Sequence, residues 1–262
     1  MYDPAVGRFM GVDPLAEKYN SWSPYTYTLN NPVRYIDPDG REVKSTIVKG
    51  AGESGRDLQL ITVTGKLINF SNNNVNMQRA LSDIKSLVET SYQGKNINGK
   101  DIKVIFDFSI AESMQDVLES DHLIVLAEGK NSDVPGTSNS FGGKVSTVDA
   151  DYFTGPYDVY FGEEGERTSA HELGHLLFLK HRNYDKSNLM SQGRAEIRGN
   201  NINANQLKAI LQNLIFLNSG TNYNPQNGLP NIGKEGIKYM KLTNVKGRTI
   251  SFSELNNRRK AQ

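Results

Sequence analysis

A chain of 262 residues with a hydrophobic fraction of 37% is long enough for a full catalytic domain plus a small extra segment. Its 30 basic and 29 acidic residues leave a formal net charge of +1 with no long run of either sign, which excludes the electrostatic footprint of a nucleic-acid binder. There is no cysteine, so disulfides and thiolate ligands are excluded, and any metal must be held by histidine and carboxylate.

No apolar run is long enough to span a bilayer, and the opening MYDPAVGRFM lacks the apolar core of a signal peptide. Residues 1–44 are dense in Tyr, Pro, Asp and Asn, and their Asp-Pro, Asn-Pro and Asp-Gly pairs each mark a turn. Short strands such as Tyr25–Leu29 are predicted between the turns. A segment this small cannot bury its aromatics alone, so it reads as the last turns of a larger β-structure.

The order YDPAVGRFMGVDPL, then SPYTYTLNNP, then DPDG resembles the C-terminal end of the core domain of RHS/YD-repeat proteins, over residues 2–40. The resemblance implies the closing end of a β-shell followed by a toxin or effector domain. It also implies an upstream shell, an immunity protein as partner, and secretion or delivery to a target cell. Self-cleavage after DPDG by two aspartates, here Asp13 and Asp37, is a further implication. Arg41 stands where the family has Leu, and two ordinary turn aspartates are the alternative reading.

From residue 45 the pattern is that of an α/β domain running to residue 262. Leu58–Phe70 is β-rich, with Gly65-Lys66 as a possible hairpin turn. Apolar residues at Met77, Leu81, Ile84, Leu87 and Val88 predict a helix over 74–92, ended by Gly94. Ile102, Val104, Phe106 and Phe108 alternate as a half-buried strand, and Leu123–Ala127 is a continuous apolar run expected of an interior strand. His122, just before that run, reads as a surface or strand-edge residue. Residues 129–144 are expected to be a loop, followed by strands near Val145–Val148 and Tyr157–Phe161. A helix is predicted over Glu164–Leu179, and another over Asn203–Leu217 with Asn203 and Gln206 spaced as a capping box. Asn218–Gly236 is expected to be a loop, and the tail from Ile237 a small hairpin.

The first of those two helices carries SAHELGHLLFLKHR, Ser169–Arg182. Residues i and i+4 share a helix face, so His171 and His175 can direct both imidazoles at one ion. Glu172, one residue on, reaches a water on that ion without being a ligand, the general-base position of H-E-x-x-H metallopeptidases. A catalytic zinc needs a third protein ligand and an open fourth position, and His181 is the candidate. Three of the chain's four histidines fall in this pattern. The competing reading is an amphipathic helix with incidental histidines.

The stretch is similar to the metzincin signature H-E-x-x-H-x-x-G-x-x-H followed by a Met-turn, with Ser187–Ser191 in the place of that turn and Met190 as its methionine. The resemblance implies an α+β zincin with a twisted mixed sheet, an active-site helix and a C-terminal helix, one Zn2+ per chain, and a protein or peptide substrate. The signature's glycine lets the chain leave the helix at positive φ, and here that position is Phe178. Three outcomes stay open: a different turn that still delivers His181, coordination by Asp185, or a gluzincin-type ligand at Glu196. Gln192 stands where some metzincins have a tyrosine ligand, so no such switch is implied. The expected activity is hydrolysis of peptide bonds by a water that Glu172 activates. The alternatives are a non-enzymatic partner-binding fragment and a zinc hydrolase acting on non-peptide amides.

Overall fold

The structure, a computed structural model, describes residues 2–3, 8–9, 45–130, 134–154, 164–192, 199–214 and 220–245. In the N-terminal segment two short strands, β1 (Tyr2–Asp3) and β2 (Arg8–Phe9), pair antiparallel with Tyr2 opposite Phe9. Asp13, Asp37, Arg41 and the predicted strand Tyr25–Leu29 lie outside the described residues, as does the one predicted at Tyr157–Phe161.

From residue 45 the architecture is α+β. A mixed sheet is built from β3 (Ser45–Val48), β4 (Asp57–Asn69), β5 (Gln93–Ile97), β6 (Lys100–Ala111), β7 (His122–Gly129), β8 (Gly136–Ser138), β9 (Val145–Asp149) and β10 (Met240–Lys241). The strand order is β5-β6-β4-β7-β9-β8, with β3 beside β4 and β10 beside β7. β6, β4, β7 and β9 run parallel, whereas β3, β5, β8 and β10 are antiparallel to their neighbours. The helices are α1 (Met77–Ser91), α2 (Glu164–Leu176), α3 (Ala204–Gln212) and α4 (Gly233–Tyr239). None of the described helices is long and apolar enough to cross a membrane.

Strand β7 shows why the sheet has two cores. Ile124 and Leu126 face the larger one with α1, α2 and α3, while Leu123 and Val125 face a smaller one with Phe70, Met114 and Tyr223. A strand covered on both faces needs an unbroken apolar run, which is what Leu123–Ala127 provides. His122 opens this interior strand and is 1% exposed, so the expectation of a surface residue is overturned.

Three other expectations are corrected. Gly65-Lys66 forms no hairpin; both residues continue β4, with Gly65 opposite Phe108 on β6. A Cβ on Gly65 would come within 2.4 Å of the Phe108 ring, so that ring, stacked on Phe106 at 4.0 Å, covers the glycine and fills its place in the core. Within the expected loop 129–144, Gly136–Ser138 pairs with β9, reinforced by a 2.8 Å hydrogen bond between the Thr137 and Thr147 hydroxyls. The tail does not begin as a strand at Ile237: α4 runs to Tyr239, and Met240–Lys241 then pairs with Glu128 and Gly129 of β7, while residues 246–262 lie outside the described residues.

Helices α1 and α3 each begin at an asparagine cap. Asn76 caps α1 by accepting from Arg79 N–H. At α3 both hydrogen bonds of the Asn203/Gln206 capping box are present.

Candidate metal centre

Helix α2 is buried on nearly every side, including the polar residues Glu166, Arg167, Thr168 and Glu172. Tyr92, at the end of α1, donates its buried hydroxyl to Ala170 O over 2.6 Å. Gly174 lets the neighbours close in: a Cβ there would lie 2.4 Å from Met190 Sδ and 2.7 Å from the Tyr92 oxygen.

The helix ends in a left-handed turn at Phe178, whose φ is 66°. Phe178 N–H donates to His175 O (3.1 Å) and Leu179 N–H reaches back to Gly174 O (2.8 Å), the two bonds of a Schellman C-cap. The motif's glycine conformation is therefore kept without the glycine. An L-residue in that region costs about 1–2 kcal/mol. The Phe178 ring offsets this by packing edge-on against Phe141, with centroids 5.5 Å apart, and into the notch left by Gly142.

This turn delivers His181 to the other two histidines. The ligand atoms of His171, His175 and His181 all lie within 4.8 Å of one another, and His175 Nε2 is 2.9 Å from His181 Nε2. His171 Nδ1 lies 2.8 Å from Leu189 O and His175 Nδ1 lies 2.7 Å from Leu179 O. A carbonyl only accepts, so both Nδ1 atoms carry the proton and both Nε2 atoms keep a lone pair. Burial holds the imidazoles neutral, lowering His171 to about 3 and His175 to about 4, with His181 lowered in the same direction.

The donor set fits zinc. Three neutral imidazoles at Zn–N distances of about 2.0–2.1 Å place their nitrogens about 3.3 Å apart in a tetrahedral site, and the cluster found, with one pair at 2.9 Å and all three atoms within 4.8 Å, brackets that spacing. His171 is buried, His175 half-buried and His181 exposed, so the cluster opens to solvent on the His181 side.

Glu172 is buried beside this cluster, and burial raises its carboxyl to about 7. The Ser138 hydroxyl on β8 lies 2.6 Å from Glu172 Oε2 and opposes that rise. Strand β8 runs tight against the helix: a Cβ on Gly136 would sit 2.5 Å from Thr168 and 3.0 Å from the Glu172 side chain.

The segment after His181 forms the expected turn around Met190. Met190 N–H donates to Asn188 Oδ1 (3.0 Å) and Arg182 N–H to Met190 O (2.9 Å), with Met190 fully buried under Gly174. Asp185 is not brought to the histidines. Its Oδ1 accepts from Ser187 N–H and its hydroxyl, which ties it to its own loop. Gln192 pairs with Asn183. Glu196 lies outside the described residues.

No protein-family model matches the chain. Over 41 residues it is 54% identical to Salivary gland surface protein 1 of Aedes aegypti, a stretch that covers 16% of this chain and 1% of that protein. Among solved structures it is similar to archaemetzincin from Methanopyrus kandleri, at 18% identity and a TM-score of 0.40, covering 58% of this chain and 96% of that one. It is also similar to metalloproteinase-II from Bacteroides fragilis, at 16% identity and a TM-score of 0.39, covering 58% and 52%.

Two residues of the site have no place in the sequence expectations. Ser138 lies in a three-residue strand too short to show a period, and nothing in the sequence marks it. Arg167 had a signal: it stands four residues before His171, hence on the same helix face, where a charged side chain in a buried helix needs partners.

Proposed function

We propose that this chain is a zinc-dependent endopeptidase, binding one zinc ion per chain through Nε2 of His171, His175 and His181. The observation that carries the reading is the convergence of three neutral imidazoles, two of them oriented through Nδ1, beside a buried carboxylate that is not among them. When bound, zinc supplies a Lewis acid that polarises a carbonyl and makes water a nucleophile at neutral pH. The chain's own residues do the rest. Glu172, raised to about 7, takes a proton from the attacking water and returns it to the leaving amine. Ser138 holds one carboxylate oxygen, leaving the other for that transfer.

A peptide substrate suits the adjoining strand. Among the described residues β8 has β9 as its single strand neighbour, so an extended chain added at its other edge would pass Ser138 and the site. In this reading the N-terminal segment belongs to an RHS-type shell, and the peptidase is its delivered effector, matched by an immunity protein. Support for that wider role is the resemblance of residues 2–40.

The test is Glu172→Gln, which preserves size and hydrogen bonding but removes the base. Zinc content should stay near one per chain while cleavage of a peptide library falls at least about 100-fold. Undiminished cleavage in this variant would sink the assignment.

A further inference from the structure

Leu189 serves the site through its backbone oxygen, and that oxygen is shared. His171 Nδ1–H donates to it over 2.8 Å and Arg167 Nη2–H over 3.2 Å. The same Arg167 nitrogen lies 3.5 Å from Asn188 O and 3.4 Å from Gly199 O. Arg167 is 6% exposed, so its charge is taken out of water to sit against carbonyls of two separate segments. Such burial is tolerated where the charged group finds hydrogen-bond acceptors, and here one nitrogen, Nη2, sits among three carbonyl oxygens.

The carbonyl's position decides where His171 points. A ring hydrogen-bonded through Nδ1 has its Nε2 direction set by the acceptor, so a shift of Leu189 O turns the ligand atom away from the other two. The turn is fixed from its far side as well. Leu189 N–H donates to Asn201 O (2.9 Å), and the amides of Asn188 and Gln206 exchange two hydrogen bonds. Those contacts hold the loop. Arg167 bonds the accepting oxygen itself, from the same helix that carries the histidine.

We propose that Arg167 is a positioning residue for the metal centre: through the Leu189 carbonyl it aims His171 Nε2 at the ion. The inference rests on the zinc reading above. Arg167 touches neither the ion nor the substrate, and its effect is read in metal binding and in the ligand field.

Zinc affinity is measured by competition with a chromophoric chelator, and the d–d absorption of the Co2+-loaded protein reports ligand geometry. The chains compared are the parent, Arg167→Met, Arg167→Lys and Asp101→Asn. Asp101 pairs with Arg56 at the start of β6, outside the site, and serves as a control for lost stability alone. Arg167→Met should bind zinc 10- to 100-fold more weakly, with altered Co2+ bands. Arg167→Lys, which keeps the charge on a shorter side chain, should fall between it and the parent. Asp101→Asn should unfold at lower temperature with zinc affinity within threefold of the parent.

Arg167→Met binding zinc within threefold of the parent, with an unchanged Co2+ spectrum, overturns the inference. So does an equal loss of affinity in Asp101→Asn. If Arg167→Met does not fold, Arg167→Lys decides: unchanged affinity and spectrum overturn the inference, and a loss with altered bands supports it. A parent chain that takes up no zinc overturns the metal-site reading and this inference with it, whereas zinc uptake indifferent to Arg167 removes the inference alone.

Discussion

Phe178 occupies a backbone region that glycine visits freely and other L-residues visit at a cost of about 1–2 kcal/mol. Both Leu179 O, which orients His175, and His181 itself follow this turn, so the metal site depends on its dihedral angles more than on its side chain. Two substitutions separate the contributions. Phe178→Gly relieves the backbone but empties the notch beside Gly142, and urea unfolding should show a net loss of about 1–2 kcal/mol with zinc affinity within threefold of the parent. Phe178→Val combines a stiff β-branched side chain with the same lost packing. It should lose about 3 kcal/mol or more and bind zinc at least about tenfold more weakly. Equal zinc affinity in the two variants would show that the turn does not govern the site.

At the scale of the elements, the strands carrying the core were legible wherever period and burial agreed. Ile102, Val104 and Phe106 alternate because one face of β6 meets the main core, and β7 reads as an unbroken apolar run because both its faces are covered. Gly65 misled because a glycine inside a strand is the ordinary mark of a turn. What keeps it in the ladder is a ring from β6, which no local pattern shows. Strand β8 was illegible for a related reason, since three residues cannot display a period and its pairing comes from β9.

One element contact predicts a pH response. Asp101, at the start of β6, is held down to about 2, first by the Arg56 guanidinium and then by Asn96 N–H, against an ordinary value of 3.8. The unfolded chain therefore binds more protons between those two values, so the contribution is complete above about pH 4 and drains away as pH falls towards 2. Thermal unfolding should find Asp101→Asn less stable than the parent at pH 7, with the gap narrowing at pH 2–3. A gap that widens on acidification would contradict this.

For the whole molecule, the ion would tie the end of α2, through His171 and His175, to the segment beyond the turn, through His181, with the Met190 loop behind them. A ligand that binds only the folded chain stabilises it by about 4 kcal/mol at a thousandfold excess over Kd. In a domain of this size that raises the unfolding temperature by about 8–16 °C. Stripping with a chelator should remove the increment, and His171→Ala should show none. An unfolding temperature indifferent to zinc in the parent would count against the site. The histidine cluster was legible in two steps: helical spacing places His171 and His175 on one face, and His181, beyond the helix end, was expected from the resemblance to the metzincin signature. The supports around them were not, because Ser138 and Leu189 reach the site only through tertiary packing.

The partners that orient His171 and His175 are both main-chain oxygens, of Leu189 and Leu179. Mutation at either residue exchanges the side chain and leaves the oxygen in place. Ring orientation in this site is thus shielded from most single substitutions at the accepting positions, as it would not be with an aspartate or glutamate in that role. What can disturb it is a change in the path of the backbone, so the vulnerable positions are those that steer the chain, Phe178 and the residues that brace the 188–191 turn.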